Sequence, residues 1–559
     1  MADLSARQHQ MFPVLNSHQL QTARRFASGE PRHFAPGEFV YKVGDHAAPA
    51  WLVLDGSMDV FRHEGLSGEA PIITHGVGQL SGEVNQLSGR PTLAGARAGA
   101  EGCVALPFDS AHLRALVIGS ADIGEIIMRA FILRRVGLID AGAGSVLIGA
   151  TGNAALSRLQ GFLARSAFPY IVLDASTNSE GRALIERLGV LSSELPLMVC
   201  PNGTVLKNPT DTEAAACLGM TPELIPGKLY DVAVVGAGPA GLATAVYAAS
   251  EGLDVIVIDE RSVGGQAGAS SRIENYLGFP TGISGQALAG RAYNQALKFG
   301  AELVLPVEVN SLVPPADGAG ALTLDLAGDK AVHARSVVIA SGARYRRPDV
   351  ANIATFEGNG ISYWASPIEA RLCAGKEVAL VGGGNSAGQA IVFLAPQVKK
   401  LHLVVRRALE ETMSQYLIDR IKALPNVVWH MHCEVEAIDG DRATGLTSAT
   451  VRNRLDGSEQ KLPLHHLFLF IGADPNAGWI GDRVQSDEKG FIVTGQSFDT
   501  LCGFTRKPPP LETSVPNVFA IGDVRAGSTK RVAAAVGEGA AVVSQIHAAL
   551  SLMNTQVKR

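Results

Sequence analysis

The 559-residue sequence predicts a multidomain chain: an antiparallel β-roll, a compact α/β unit, then two larger α/β units with parallel strands. Three observations predict it. The length exceeds one ordinary domain, at roughly 100–200 residues each. Short strand-like pieces with an Asp-Gly turn crowd the first part. Two strand–glycine turn–helix signatures stand far apart in the second, at Gly236–Gly241 and Gly382–Ala387.

Composition narrows the class. Lys+Arg 48 against Asp+Glu 53 leaves a net charge of −5, without the basic excess of a nucleic-acid binder. Hydrophobic residues make up 47% and charged ones 18%, which is a chain with a core rather than a disordered one. Six cysteines, Cys103, Cys200, Cys217, Cys373, Cys433 and Cys502, form no C-x-x-C. Sparse thiols fit a reducing compartment. The first residues lack an apolar signal segment, and no apolar run of about 18 residues predicts a membrane span. A cytoplasmic protein is expected.

Residues 1–140 open with polar helical sequence. The pieces around Phe39–Tyr41, Trp51–Leu54 and Met58–Phe61, with the Asp55-Gly56 turn, predict a small barrel or roll. Apolar residues Ile123, Ile126, Ile127, Ala130 and Phe131 recur at helical spacing and predict a closing helix. Residues 143–222 read as βαβαββ: Ser145–Ile148, Ala154–Ala167, Tyr170–Leu173, Glu180–Leu188, Leu197–Cys200 and Thr204–Lys207. The stretch Thr221–Gly227 reads as a linker.

Strand Tyr230–Val235 runs into Gly236-Ala237-Gly238-Pro239-Ala240-Gly241 and an Ala-rich helix, the G-x-G-x-x-G pattern in the setting it requires. Gly236 permits the turn, Gly238 lets backbone N–H groups approach a pyrophosphate, and Gly241 allows close packing of helix on strand. The helix N-terminus adds partial positive charge. A second strand ends at Asp259-Glu260, 23 residues after Gly236, near the ~20 expected for the acid that holds a ribose. This is a Rossmann-type unit.

The second fingerprint runs Val378–Val381, then Gly382-Gly383-Gly384-Asn385-Ser386-Ala387. Its second strand ends in Arg406-Arg407 rather than an acid. Arginine there suits the 2′-phosphate of NADP, which a carboxylate repels. Two such units in one chain suggest an electron relay, one holding a flavin and the other a nicotinamide. The strand Ser514–Ile521 ends in Gly522-Asp523, where a carboxylate can bind the ribityl chain of FAD. The helix beginning beyond Arg531 at Val532-Ala533 can aim its N-terminus at the isoalloxazine.

From Lys228 onward the chain resembles the low-molecular-weight, bacterial-type thioredoxin reductases. The matches are Gly236–Gly241, Gly264-Gly265-Gln266, Glu274-Asn275-Tyr276, Ile339–Ala343 with Gly342, Gly382–Ala387, His402–Arg407 and Ala520–Asp523. The resemblance implies FAD on residues 228–346 and 471–559, and NAD(P)H on an inserted segment, 347–470. It implies FAD contacts from Gly236, Gly238, Pro239, Ala240, Gly241, Asp259, Glu260, Gly265, Gln266, Asn275, Gly342, Gly522, Asp523, Arg531, Val532 and Ala533. It implies NADPH contacts, with NADH as the alternative, from Gly382, Gly384, Asn385, Ser386, Ala387, Arg406 and Arg407. It also implies a homodimer, and hydride transfer from nicotinamide to flavin.

Two departures matter. The family's redox C-x-x-C falls on Trp364-Ala365-Ser366-Pro367, so both cysteines are absent and the flavin is the expected redox centre. Near Arg406-Arg407, the family's flanking histidine and third basic residue are Val405 and Glu411.

The front segments are degenerate too. Residues 34–106 resemble a cyclic-nucleotide-binding roll of the catabolite-activator type through Gly37-Glu38, Gly44-Asp45, Trp51–Gly56 and Ser81-Gly82-Glu83. The arginine that neutralises the cyclic phosphate, about ten residues after Gly82-Glu83 in that family, falls at Thr92, with Arg90 two positions early. A structural or docking role is favoured over cyclic nucleotide. The middle segment resembles a thioredoxin or glutaredoxin fold, with Leu195-Pro196 as its cis-proline. It has no cysteine at its expected dithiol site, Ala150–Ala154.

The leading expectation is an NAD(P)H-dependent FAD oxidoreductase with a non-disulfide acceptor. The alternatives are disulfide reduction with a thiol supplied in trans, and a redox- or nucleotide-sensing flavoprotein.

Overall fold

A computed structural model gives the fold. It describes residues 7–557 except 47, 65–67, 141–143, 151–152, 167, 222–223, 316–319, 359, 442–443 and 496–507. The chain divides into two compact units. The first comprises Met1–Gly227, Ala248–Ser262 and Tyr293–Glu308, and the second the remainder.

In the first unit, strand Gly95–Phe108 lies at the centre of the roll. It pairs antiparallel with Arg32–Phe34, Phe39–Tyr41 and Ala50–Glu64, and the last also pairs with Gly68–His75. Ala50, Trp51, Leu52 and Val53 are all buried at the start of strand Ala50–Glu64, and Met58 is fully buried farther along it. The expected Asp55-Gly56 turn is instead a bulge within the continuous strand Ala50–Glu64, where Gly56 has φ 71° and a Cβ would stand 2.3 Å from the Gly102 carbonyl oxygen. Helices Ser110–Gly119 and Ala121–Asp140 close the roll over Leu113, Leu116, Ile123, Ile127 and Phe131. The predicted closing helix is present.

One buried ion pair ties that helix to the roll. Both oxygens of Glu83 accept from Arg134 Nη1 at 2.8 Å, with side-chain exposures of 1% and 10%. Removing one partner leaves a buried charge alone, which costs about 3–5 kcal/mol. Arg134→Met should therefore lower the opening free energy of strand Gly95–Phe108 amides in hydrogen exchange by that amount. Glu83→Leu combined with Arg134→Met should restore most of it. A loss below about 1 kcal/mol in the single variant would mean the pair holds nothing together.

The middle segment has Ser145–Gly149 parallel to Tyr170–Asp174 and antiparallel to Leu197–Val199, which pairs with Val205–Lys207. Helix Ala154–Arg165 buries Leu156, Leu159, Phe162 and Leu163, one face at helical spacing. Asn153 caps it, accepting from Leu156 N at 3.0 Å. Of the expected dithiol stretch, Thr151 and Gly152 lie outside the described residues. The Leu195–Pro196 peptide is cis.

The cysteine expectation needs correction here. Cys200 and Cys217 are joined in a disulfide, against the expectation of reduced, unpaired thiols. They stand 17 residues apart. The turn at Cys200–Thr204 and helix Asp211–Cys217 bring them together, so no local motif announces the pair. The bridge lies in the core of the segment, beside Leu218 and Met220.

The second unit carries both fingerprints. Leu229–Val235 runs parallel to Lys330–Ile339, which pairs with Val518–Ala520 and, antiparallel, with Leu322–Leu326. Every residue of Val232–Val235 is buried, as a strand covered on both faces requires. The inserted segment is a parallel sheet in the order 361–362, 466–469, 377–381, 400–405, 427–431, beside an antiparallel one of 433–441, 445–453 and 459–463. Its two ends meet. Ala343–Tyr345 pairs antiparallel with Ala473–Pro475, and Arg346 N donates to Gly472 O at 3.0 Å.

The expectation of no membrane span also meets an exception by length and composition. Val532–Met553 has a mean hydropathy of 1.2, enough to cross a bilayer. Val542, Val543 and Ile546 of that helix are buried inside the second unit, and Glu538 pairs with Arg525 at 2.6 Å. One face of the helix thus packs against the unit, with 33% of that span buried.

Candidate functional site

Four separated pieces of the second unit converge at the end of strand Leu229–Val235. Gly236 has φ 114°, and a Cβ on it would lie 2.3 Å from the Ala340 carbonyl oxygen. Only glycine can turn there while Ala340 N donates to Val235 O at 2.8 Å. A Cβ on Gly241 would lie 1.9 Å from Gly236 O, so helix and strand touch backbone to backbone. Helix Pro239–Ser250 begins immediately beyond the turn.

Gly238 is different. A Cβ there would meet only the Gly265 Cα, at 4.0 Å, so its glycine leaves a cradle rather than preventing a clash. Gly264 N donates to Ala237 O at 2.8 Å and draws the Gly264–Gln266 loop against the turn. Gln266 Nε2 donates to Ala343 O, beside Gly342. A Cβ on Gly522 would come 3.0 Å from the Ala240 Cβ, which brings the C-terminal segment to the same place.

Asp523 follows, half-buried. Burial raises its pKa, Lys530 opposes this, and Glu538 adds to it. Its carboxylate accepts no hydrogen bond from a described residue, while Lys530 Nζ donates to its backbone oxygen at 2.5 Å. The helix Val532–Val557 begins next, with Ala535 N bonded to Arg531 O and the first N–H groups at Val532 and Ala533 outside the helical ladder.

Three expected residues have other surroundings. Asn275 is exposed. Its neighbour Glu274 pairs with Arg272 at 3.3 Å and with Arg420 at 2.5 Å, holding that loop to helix Gln415–Lys422. Asp259 and Glu260 belong to the first unit. Asp259 Oδ1 accepts from Arg261 N at 2.8 Å and Ser262 N at 3.1 Å, and Glu260 pairs with Arg261 at 3.0 Å.

Sequence reasoning missed Tyr345, whose pKa is raised to about 12 by burial and by the Asp523 carboxylate. Tyr345 lies 6.5 Å from Tyr363, stacked, and 6.2 Å from Phe470, edge-on. It missed Glu538 too, which accepts from Gly522 N at 2.6 Å and fixes the Gly-Asp turn. Glu538 carries the lone formal charge in Val532–Val557, a visible signal.

At the second fingerprint, Gly382 has φ 143°, and a Cβ would stand 2.4 Å from Phe470 O. Gly384 has open space beside it and precedes helix Asn385–Leu394. Asn385 Oδ1 accepts from Ser414 N at 2.7 Å, Ser386 is exposed, and Ala387 is fully buried. Arg406 and Arg407 are both exposed at the end of strand Lys400–Val405. Arg407 leans toward Glu411 at 3.9 Å, and Arg406 has no partner among the described residues.

The positions of the absent dithiol are built as a helix start. Glu369 accepts from Trp364 Nε1 at 3.1 Å, from Ser366 N at 2.9 Å and from Ser366 Oγ, capping helix Pro367–Leu372. Cys373 at the far end is fully buried in the core of the inserted segment. Burial pushes its thiol up to about 12, Lys376 opposing and Glu369 assisting.

In the roll, Arg90 packs against Tyr293. Its guanidinium lies 5.6 Å from the Tyr293 ring centre, and that of Arg135 lies 5.1 Å from the same ring. Thr92 Oγ1 donates to Lys42 O and accepts from Asp45 N, both backbone bonds.

An open glycine turn, a half-buried carboxylate and a second open glycine turn make this a chain with two dinucleotide-type α/β units. Residues 230–539 match the family described as pyridine nucleotide-disulphide oxidoreductase. The chain belongs to that family, and its last 310 or so residues are of the thioredoxin reductase kind. It is 32% identical over 312 residues to the thioredoxin reductase of Listeria monocytogenes serovar 1/2a, spanning 56% of this chain and 91% of that one. It is 31% identical over 319 residues to the thioredoxin reductase of Mycoplasma genitalium, over 57% and 94% of the two chains. The crystal structure of T. acidophilum thioredoxin reductase superposes with a TM-score of 0.51 at 31% identity, covering 59% of this chain and 99% of that one. The protein is an FAD-dependent pyridine nucleotide-disulphide oxidoreductase resembling thioredoxin reductase.

Proposed function

We propose that this chain oxidises NADPH and delivers the electrons to an acceptor other than a disulfide. The observation that carries this reading is the capped helix at Trp364–Pro367, where a dithiol would have to stand, with Cys373 buried behind it. FAD, when bound, supplies the capacity to take a hydride from nicotinamide and pass electrons on. The chain's own residues position it. Gly236 makes the turn, Gly238 leaves room for a pyrophosphate beside Gly265, and Asp523 offers a carboxylate for a sugar-like hydroxyl. Gly384 and helix Asn385–Leu394 present N–H groups to a second pyrophosphate. A homodimer is proposed on the family resemblance alone. The roll and the thioredoxin-like segment are proposed as accessory domains.

The test is an anaerobic titration of the full chain with NADPH, followed by visible absorption, then addition of a quinone, a dye or a protein disulfide. Reduction by one equivalent and reoxidation by quinone or dye, with none by disulfide, supports the reading. Reoxidation by disulfide alone overturns it.

The exposed pair should set the nucleotide preference. One charge-assisted contact to a 2′-phosphate contributes about 1.5–3 kcal/mol. Arg406 is unencumbered and Arg407 is drawn toward Glu411, which favours the low end. Arg406→Ala should raise the KM for NADPH roughly tenfold and leave that for NADH unchanged. Glu411→Gln should lower the KM for NADPH by releasing Arg407. Equal KM values for both nucleotides in wild type, unmoved by Arg406→Ala, would remove the arginines from the site.

A further inference from the structure

The roll carries a cavity of about 450 Å³, partly open to solvent, that the redox site does not use. Its size falls in the usual range for small-molecule sites, about 300–1,000 Å³. Phe12, Val60, Ile72, Ile73 and Leu93 give it apolar walls. Its polar side chains are largely spent on one another. Tyr41 Oη and Ser81 Oγ share a hydrogen bond of 2.6 Å, and Asn85 Nδ2 donates to Ala48 O at 3.0 Å. Glu83 and Arg134 neutralise each other. Thr92 holds the backbone, and Arg90 faces Tyr293.

Gln8 and Arg62 also line the cavity, Arg62 with an interaction of its own, and so does His75. His75 borders the cavity at 2% exposure, and its Nδ1 has no hydrogen-bond partner among the described residues. Burial, with the nearby Arg134 charge, pushes its pKa down to about 3, so the ring is neutral. An anionic phosphate would meet the Glu83 carboxylate and no free arginine at the cassette position. A neutral ligand meets mainly apolar walls and the edge of the His75 ring.

We propose that this cavity binds an uncharged, mainly apolar small molecule carrying one hydroxyl, amine or carbonyl group toward His75, and not a cyclic nucleotide. The experiment titrates the uncharged fluorophore N-phenylnaphthylamine into the FAD-loaded full chain. Saturable binding at one site is expected, undisturbed by millimolar cyclic AMP or cyclic GMP. Ile73→Trp, which fills the cavity from a half-buried position, should weaken binding about tenfold or more, and His75→Phe by roughly fivefold. Flavin content and melting temperature report whether each variant is folded, and Ile72→Trp replaces Ile73→Trp if that one is not. No saturable binding of the fluorophore, displacement by either cyclic nucleotide, or affinity unchanged in the filled and His75→Phe variants would each overturn the proposal.

Discussion

Disulfide reduction by this chain should be slower than that of a dithiol enzyme by a factor on the order of 10³ or more, while dye and quinone reduction proceeds. Reduction of a disulfide needs an attacking thiolate and a second thiol to release the mixed disulfide. Trp364 and Ser366 are committed to Glu369, and the helix they start carries no thiol before Cys373. With a pKa of about 12, Cys373 is thiolate to only about one part in 10⁵ at pH 7. It is also fully buried. Cys373→Ser should therefore leave both activities where they were. The measurement is NADPH oxidation with a small aromatic disulfide, with thioredoxin and with a quinone, on both proteins. Fast disulfide reduction by wild type that disappears in Cys373→Ser would show that this thiol is reached after all.

The second large effect is on flavin retention. Gly238→Ala should yield a folded, colourless protein, because the added methyl enters the space beside Gly265 without striking the chain. Asp523→Ala should do the same by removing the half-buried carboxylate. Each change should weaken FAD binding by about 2–3 kcal/mol, or roughly 30–150-fold. Gly241→Ala is the contrasting case. Its Cβ would be driven into Gly236 O at 1.9 Å, so it should lower the melting temperature as well. Absorption at the flavin band and a thermal melt separate the two kinds of failure. Full colour in both Gly238→Ala and Asp523→Ala would refute the cradle.

The glycine turns were legible because backbone contact leaves a residue-type signature: Gly236 and Gly382 sit where a side chain meets a carbonyl. The missing dithiol was legible because it is a matter of residue identity. Directions of side chains were not. Arg90 lies near the cassette position in sequence, yet its partner is Tyr293, about two hundred residues away, a contact only packing creates. Tyr345 is invisible for the same reason, since its tie to Asp523 crosses the inserted segment. The Cys200–Cys217 pair depends on a turn and a short helix that return the chain on itself. The carboxylate at Asp259 was placed by spacing alone. Spacing does not reveal that one oxygen already braces its own turn.

The antiparallel ribbon of Ala343–Tyr345 and Ala473–Pro475 has a modular consequence. The chain leaves the host half and returns to it at the same spot, clasped by Arg346 and Asp474 at 2.7 Å. The segment between is thus a cassette with adjoining ends, and its removal leaves that ribbon and the described strand pairing of its host in place. A short Gly-Ser bridge from residue 346 to 472 should leave a protein that still takes up FAD but is blind to NADPH, and the excised piece should fold by itself. In architectural terms, residues 347–471 are a guest in an otherwise complete host.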